Sequence, residues 1–235
     1  MKPYQNIAIQ ECGEPLAPIP LERFSVVQPH PYACLGAPYG DRSPYWLRAS
    51  VLAKLRQAQT HLQQRYPGWT IQIFDAYRPV AVQQFMVDYS FRELARQRQQ
   101  HPERLTAAER QALLDEVYQF WAPPSLDEAT PPPHSTGAAI DITLGDDQGQ
   151  MVDMGSPIDE ISPRSHPNYF AATGEHHDAM IQNHRTVLSN HLTAVGFAQH
   201  PNEWWHFSWG DQLWAWQTQN HTGQTLTARY GRALP

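Results

Sequence analysis

The sequence predicts an α+β fold: a central, mostly antiparallel sheet with helices packed around it. Three observations predict it. Two runs, Trp69 to Phe74 (WTIQIF) and Ala138 to Leu144 (AAIDITL), have the β-branched and aromatic character of strands. A third run, Glu203 to Trp209 (EWWHFSW), reads as an aromatic strand. Between them lie stretches whose apolar residues recur at helical spacing.

The elements follow in order. Residues 1–45 are rich in Pro and Tyr and read as a wrapping arm, with a short apolar run at Asn6 to Gln10 of strand character. Pro44 precedes a helical stretch from Tyr45 to Gln64, where Val51, Leu52, Leu55, Ala58 and Leu62 share a face. Pro67-Gly68 stops it and turns the chain. The strand at Trp69 to Phe74 runs into Asp75-Ala76-Tyr77-Arg78-Pro79. Proline cannot donate to a ladder, so the strand ends there with Arg78 at its mouth. Helices are expected at Ala81 to Gln99 and Ala107 to Trp121. Pro123 to Pro133 is a stiff loop that delivers the chain into His134.

In the next strand Ile140, Ile142 and Leu144 point one way, and Ala139, Asp141 and Thr143 the other. Gly145-Asp146-Asp147 reads as a turn toward a hairpin partner near Met151 to Met154. A long polar loop spans Gly155 to Gly174. Glu175 to Val195 reads as a helix closed by Gly196. The tail, residues 218–235, carries little structural signal. With no linker dividing the 235 residues, one domain is expected.

Composition narrows the function. A hydrophobic content of 41% supports a packed core rather than disorder. A net charge of −6 argues against nucleic-acid partners, which draw clustered Lys and Arg, and offers no basic surface to an anionic membrane. No window approaches the apolar length of a membrane span, and the first residues lack a signal-peptide core, so a cytoplasmic protein is the expectation. Two cysteines, Cys12 and Cys34, make neither a disulfide framework nor a cysteine-rich zinc site, and free thiols are expected. Twelve histidines raise the prospect of metal chemistry.

The segment His134-Ser-Thr-Gly-Ala-Ala-Ile-Asp141 places a His before a strand and an Asp within it, on the face opposite the apolar one. A covered carboxylate needs a partner, and a metal ion satisfies that need. A separation of seven would put the two on opposite faces of a regular strand. Gly137 and the Pro-rich approach provide the bend that lets them converge. The competing reading is a loop His and a hydrogen-bonded strand Asp. Glu203-Trp-Trp-His206 adds an acid three residues before a further His. Catalytic zinc takes three protein ligands and keeps one position open for water, whose pKa falls toward about 7. Two imidazoles and an Asp suit it, and a carboxylate outside the ligand set can carry the proton. Arg78 suits stabilisation of an oxyanion, or equally a structural pairing with Asp75.

These segments resemble the D-alanyl-D-alanine dipeptidase family, the VanX-like branch of zinc D,D-peptidases. The family pattern H-x-x-G-x-A-x-D reads HSTGAAID here, E-x-x-H reads EWWH, and D-x-Y-R-P reads DAYRP, in order over roughly residues 20–215. The resemblance implies zinc ligands at His134, Asp141 and His206, Glu203 as general base and acid, and Arg78 as the transition-state stabiliser. It implies one Zn²⁺ and a small dipeptide, D-Ala-D-Ala, as substrate. Met154-Gly-Ser-Pro-Ile-Asp159 is similar to the family's M-G-S-x-x-D stretch, which makes Asp159 the candidate for the substrate ammonium. Arg164-Ser165-His166 is also similar to the family and implies no role. One departure stands at Pro132, where the family commonly has a Ser. Ser135, or a tyrosine from the arm, is the candidate replacement. Two other readings keep the metal: a D,D- or L,D-carboxypeptidase acting on peptidoglycan stems, and a non-catalytic zinc-containing module that binds cell-wall peptides. Oligomeric state is not written in any of these motifs.

Overall fold

The computed structural model describes residues 2–172 and 175–233. In chain order the elements are β1 (Leu16–Pro18), β2 (Ser25–Val26), α1 (Pro31–Cys34), β3 (Trp46–Arg48), α2 (Ala49–Arg65), β4 (Thr70–Asp75), α3 (Val80–Gln97), α4 (Ala107–Phe120), β5 (Ala139–Gly145), α5 (His176–Thr193), β6 (Ala198–Gln199), β7 (His206–Ser208) and α6 (Gln212–Thr222). The main sheet has the order β2-β4-β5-β7-β6. The β2–β4 pairing is parallel and the other three are antiparallel. A separate ribbon pairs β1 with β3.

Helices α2 and α5 cover the apolar face of the sheet. Leu55, Leu62, Leu188 and Leu192 pack there with Ile71, Ile73, Ile140, Ile142, Leu144 and Phe207. A second apolar cluster joins α3 and α4 to arm residues Tyr32 and Tyr39 and to Trp121. The face of the sheet that carries Asp141 is thereby left to polar groups, and these too are buried.

The register sets the site. Asp141 of β5 stands opposite His206 of β7, one step along from Ile140 opposite Phe207. On the other side, Ile73 pairs with Ile142, yet the next paired residues are Asp75 and Asp141. The register shifts between Ile73 and Asp75. Such a bulge re-aims the residue after it. In a regular strand Asp75 would share the apolar face with Ile71 and Ile73; the bulge turns it onto the face of Asp141.

Several expectations are corrected. The apolar run Asn6 to Gln10 is not a strand: a 3-10 turn occupies Pro3–Asn6, and Ile9 makes a single bridge to Ala228. The first long helix starts at Ala49 rather than Tyr45, because Trp46–Arg48 are drawn into the ribbon with β1. The hairpin partner near Met151 reduces to one bridge with Gly145. The aromatic strand is confined to His206–Ser208, and the Trp204 N–H instead donates to the Ser165 carbonyl at 2.9 Å. The tail is well built over its described residues. Helix α6 runs to Thr222, and Ala228, Tyr230 and Ala233 are buried. Residues 173–174 of the long polar loop and residues 234–235 of the tail lie outside the described residues. Cys12 and Cys34 are free and exposed. No helix among the described residues is long and apolar enough to cross a membrane.

Candidate metal centre and active site

His134 lies in a 3-10 turn, Pro133–Thr136, that Gly137 ends with φ +72°. That left-handed conformation favours glycine. It reverses the chain between His134 and β5, so the odd spacing to Asp141 no longer separates the two. Arg48 braces the turn, its Nε donating to the Thr136 carbonyl at 2.8 Å.

His134, Asp141 and His206 converge. His134 Nε2 is 3.2 Å from Asp141 Oδ2 and 3.2 Å from His206 Nδ1, and His206 Nδ1 is 3.0 Å from Asp141 Oδ1. Ligand atoms on a tetrahedral zinc with bonds near 2.05 Å stand about 3.3 Å apart. The three groups therefore have the separation, as well as the chemistry, that a zinc ion needs. His134 Nδ1 is 2.6 Å from the Ala76 carbonyl. A proton on Nδ1 makes that bond and leaves the Nε2 lone pair facing its partners, the usual arrangement of a metal-ligating imidazole. Burial opposes ionisation of Asp141, but His134 and His206 beside it hold its carboxyl well below the usual range. His206 is lowered by burial, which outweighs Asp141 and keeps the imidazole neutral, as a ligand must be.

Arg78 is buried beside this cluster. Its Nε donates to Asp75 Oδ2 at 2.8 Å, one Nη to Gln83 Oε1 at 3.0 Å, and the other to Asp141 Oδ2 at 3.0 Å. Its guanidinium lies 5.0 Å from the ring centroids of Tyr32 and Trp121. The structural pairing of Arg78 with Asp75 is present, and it aims the guanidinium at the carboxylate of Asp141, a candidate metal ligand. Asp75 is itself held by Tyr39 Oη at 2.9 Å and His30 Nε2 at 3.1 Å.

Glu203 is buried, with Oε2 3.8 Å from His206 Nδ1 and Oε1 3.4 Å from His200 Nδ1. His200 Nδ1 accepts the Asn202 N–H, so it presents no proton to Glu203, and Oε1 has no hydrogen-bond partner among the described residues. Burial, then Asp141 and Asp159, push the Glu203 carboxyl well above the usual range. A raised pKa suits a group that must take up a proton and release it again.

Asp159 is half-buried and accepts a hydrogen bond from Tyr32 Oη at 2.8 Å. Its backbone has φ +68°, a strained conformation for a non-glycine residue and one that clusters at functional sites. Burial and the nearby Asp141 raise its pKa to about 7. Asp159, Arg78, Glu203 and all three candidate ligands line one pocket, together with Lys2, Tyr4 and His200. Ser135 does not reach it: the hydroxyl donates to the Arg78 carbonyl at 2.7 Å. Of the two candidates for the amino end, the arm tyrosine, Tyr32, is the one that contacts Asp159. Arg164-Ser165-His166 orders the long loop, with Ser165 Oγ donating to the Glu160 carbonyl at 2.5 Å. Lys2, Tyr4 and His200 carried no motif, and only the fold brings them to the pocket.

Two imidazoles and a carboxylate at zinc-ligand spacing, beside a further buried carboxylate outside the set, are the make-up of a metal-dependent hydrolase. The comparisons specify which. The peptidase M15 model described as D-ala-D-ala dipeptidase matches residues 25–224. The chain is 51% identical over 239 residues to a D-alanyl-D-alanine dipeptidase of Synechocystis, covering 99% of this chain and 97% of that one. It is 32% identical to one of Enterococcus faecalis, covering 69% and 72%. A solved structure of a vancomycin-resistance D,D-pentapeptidase, VanY, in complex with Zn(II) matches at 14% identity and TM-score 0.45, covering 88% and 89%. The chain belongs to the D-alanyl-D-alanine dipeptidase family of peptidases.

Proposed function

We propose that the chain hydrolyses the D-Ala-D-Ala dipeptide to two D-alanines at the His134–Asp141–His206 centre. The family supports the substrate class. The observation that carries the chemistry is the placement of Glu203: buried, beside the triad and with a carboxylate oxygen that is unpartnered among the described residues.

His134, Asp141 and His206 would hold one zinc ion per chain, which when bound would supply Lewis acidity and lower the pKa of a water toward about 7. Glu203 takes the proton from the attacking water and delivers it to the leaving amine. Its raised pKa makes the protonated form persist long enough to serve as the acid. Arg78, already fixed by Asp75, Gln83 and Asp141, presents positive charge to the oxyanion without reorganising. Asp159, in its ionised form, receives the substrate ammonium. Ser135 supports this arrangement from behind, through the Arg78 carbonyl.

A pocket walled by Lys2 and Tyr4 of the arm and by Asp159 suits a dipeptide better than a long peptidoglycan stem, whose amino side would have to pass Asp159 and Tyr32. The test is a comparison of D-Ala-D-Ala with a pentapeptide stem on the metal-loaded protein, alongside Glu203→Ala. The expected result is preference for the dipeptide, and a variant that binds zinc but loses turnover by at least about 10³-fold. Full activity of Glu203→Ala would overturn the role of Glu203, and preference for the stem would favour a carboxypeptidase.

A further inference from the structure

The pocket is closed on one side by the N-terminal arm. Lys2 and Tyr4 line it with the candidate ligands and Glu203. Tyr4 is buried, and the Lys2 side chain is partly so. The arm is pinned where it lies. Gln212 Nε2 donates to the Ile7 carbonyl at 2.7 Å and to the Ala129 carbonyl at 2.9 Å. The Lys2 N–H donates to Gln5 Oε1 at 2.8 Å, and the Ile7 N–H to the Tyr4 carbonyl at 3.0 Å. These bonds hold a cation at the pocket wall.

The charges lining the pocket are unequally committed. Arg78 is bound to Asp75, Asp141, Gln83 and Tyr32. The Lys2 ammonium has no hydrogen bond or ion pair among the described residues, although it lies close enough for its charge to act on Glu203 and His200. A dipeptide is a zwitterion. Asp159 answers its ammonium, and its free carboxylate requires a cation that is not already paired. We infer that Lys2 is a specificity-determining residue that receives the C-terminal carboxylate of the substrate, and that the arm from Lys2 to Ile7 is part of the substrate pocket. This rests on the reading of the site as a dipeptidase.

An ammonium–carboxylate bond in a partly desolvated pocket is a strong, charge-assisted one. Lys2→Gln should therefore raise KM for D-Ala-D-Ala by about 10- to 100-fold and leave kcat within a few-fold, with Lys2→Arg restoring most of the loss. The decisive measurement adds the C-terminal amide. Binding of D-Ala-D-Ala and of D-Ala-D-Ala amide to untagged, zinc-loaded Glu203→Ala protein is measured by calorimetry, with and without Lys2→Gln. The expected result is preference for the free acid, abolished by Lys2→Gln. Equal preference with and without Lys2→Gln, or no preference at all, overturns the inference. Hydrolysis by the wild-type protein is scored separately: if it cleaves no dipeptide, the reading of the site fails, while the acid-against-amide comparison still judges Lys2.

Discussion

Asp75 and Asp141 stand opposite each other on neighbouring strands, both buried, with the guanidinium of Arg78 bonded to both. Two carboxylates so placed repel unless a cation lies between them. Burial works against the Arg78 charge, but Tyr32, Asp75 and Asp141 hold its pKa well above the usual value. The arginine therefore performs two tasks, neutralising the pair and fixing its own direction.

Arg78→Lys keeps a positive charge but cannot bond Asp75, Gln83 and Asp141 at once. The variant should fold and bind zinc, with kcat reduced about 10²-fold and KM little changed. Arg78→Ala should in addition lose about 3–5 kcal/mol of stability, because it leaves buried charges uncompensated. Steady-state kinetics and denaturant unfolding read the two effects separately. A Lys variant with wild-type kcat would remove Arg78 from the chemistry.

Asp159 provides the pH test. Its carboxyl pKa is raised to about 7, so it gains a proton as pH falls through that value. The substrate ammonium stays charged over the same range. KM for D-Ala-D-Ala should accordingly rise below pH of about 7, approaching tenfold per unit. Asp159→Asn should show a high KM that is flat between pH of about 5.5 and 7.5. A wild-type KM independent of pH in that window would contradict ammonium binding at Asp159.

Metal removal should be reversible and visible in stability. A dipicolinate-treated sample should lose activity and melt at a lower temperature, and added Zn²⁺ should restore both. A ligand held a thousandfold above its Kd by the native state alone contributes about 4 kcal/mol. An unchanged melting curve on zinc addition would argue against the His134–Asp141–His206 centre.

Gly137 should tolerate no side chain. Its φ is +72°, and an added Cβ would lie 2.3 Å from Leu16 Cδ2. Gly137→Ala should cost about 1–3 kcal/mol and weaken zinc affinity through a displaced His134. Thermal unfolding and zinc titration of the one variant measure both, and an unperturbed titration would separate the turn from the metal site.

Local patterns made part of this legible from sequence. The alternation in Ala139 to Leu144 put Asp141 on the face away from the core, and Gly137 marked the bend that lets His134 return. The face of Asp75 was not legible, because a register shift after Ile73 reverses the side that alternation assigns. Helix α6 was missed because its Gln- and Thr-rich stretch buries only Gln212, Leu213 and Ala215. Lys2, Tyr4 and His200 join the pocket through tertiary placement, which carries no local signature. Ser135 had the right chemistry, but its hydroxyl is spent on the Arg78 carbonyl.

Arg48 bonds Glu11, the Thr136 carbonyl and the Gly231 carbonyl, and the Ala233 N–H donates to the Ser135 carbonyl. The turn that presents His134 is therefore clasped by segments from both ends of the sequence. During synthesis the chain emerges in order, so this clasp cannot close until residues 231–233 have been made. A nascent chain halted before them would already carry every candidate ligand, yet His134 would lack part of its support. The frame around the first candidate ligand would thus be completed late, once residues 231–233 reach the turn that carries it.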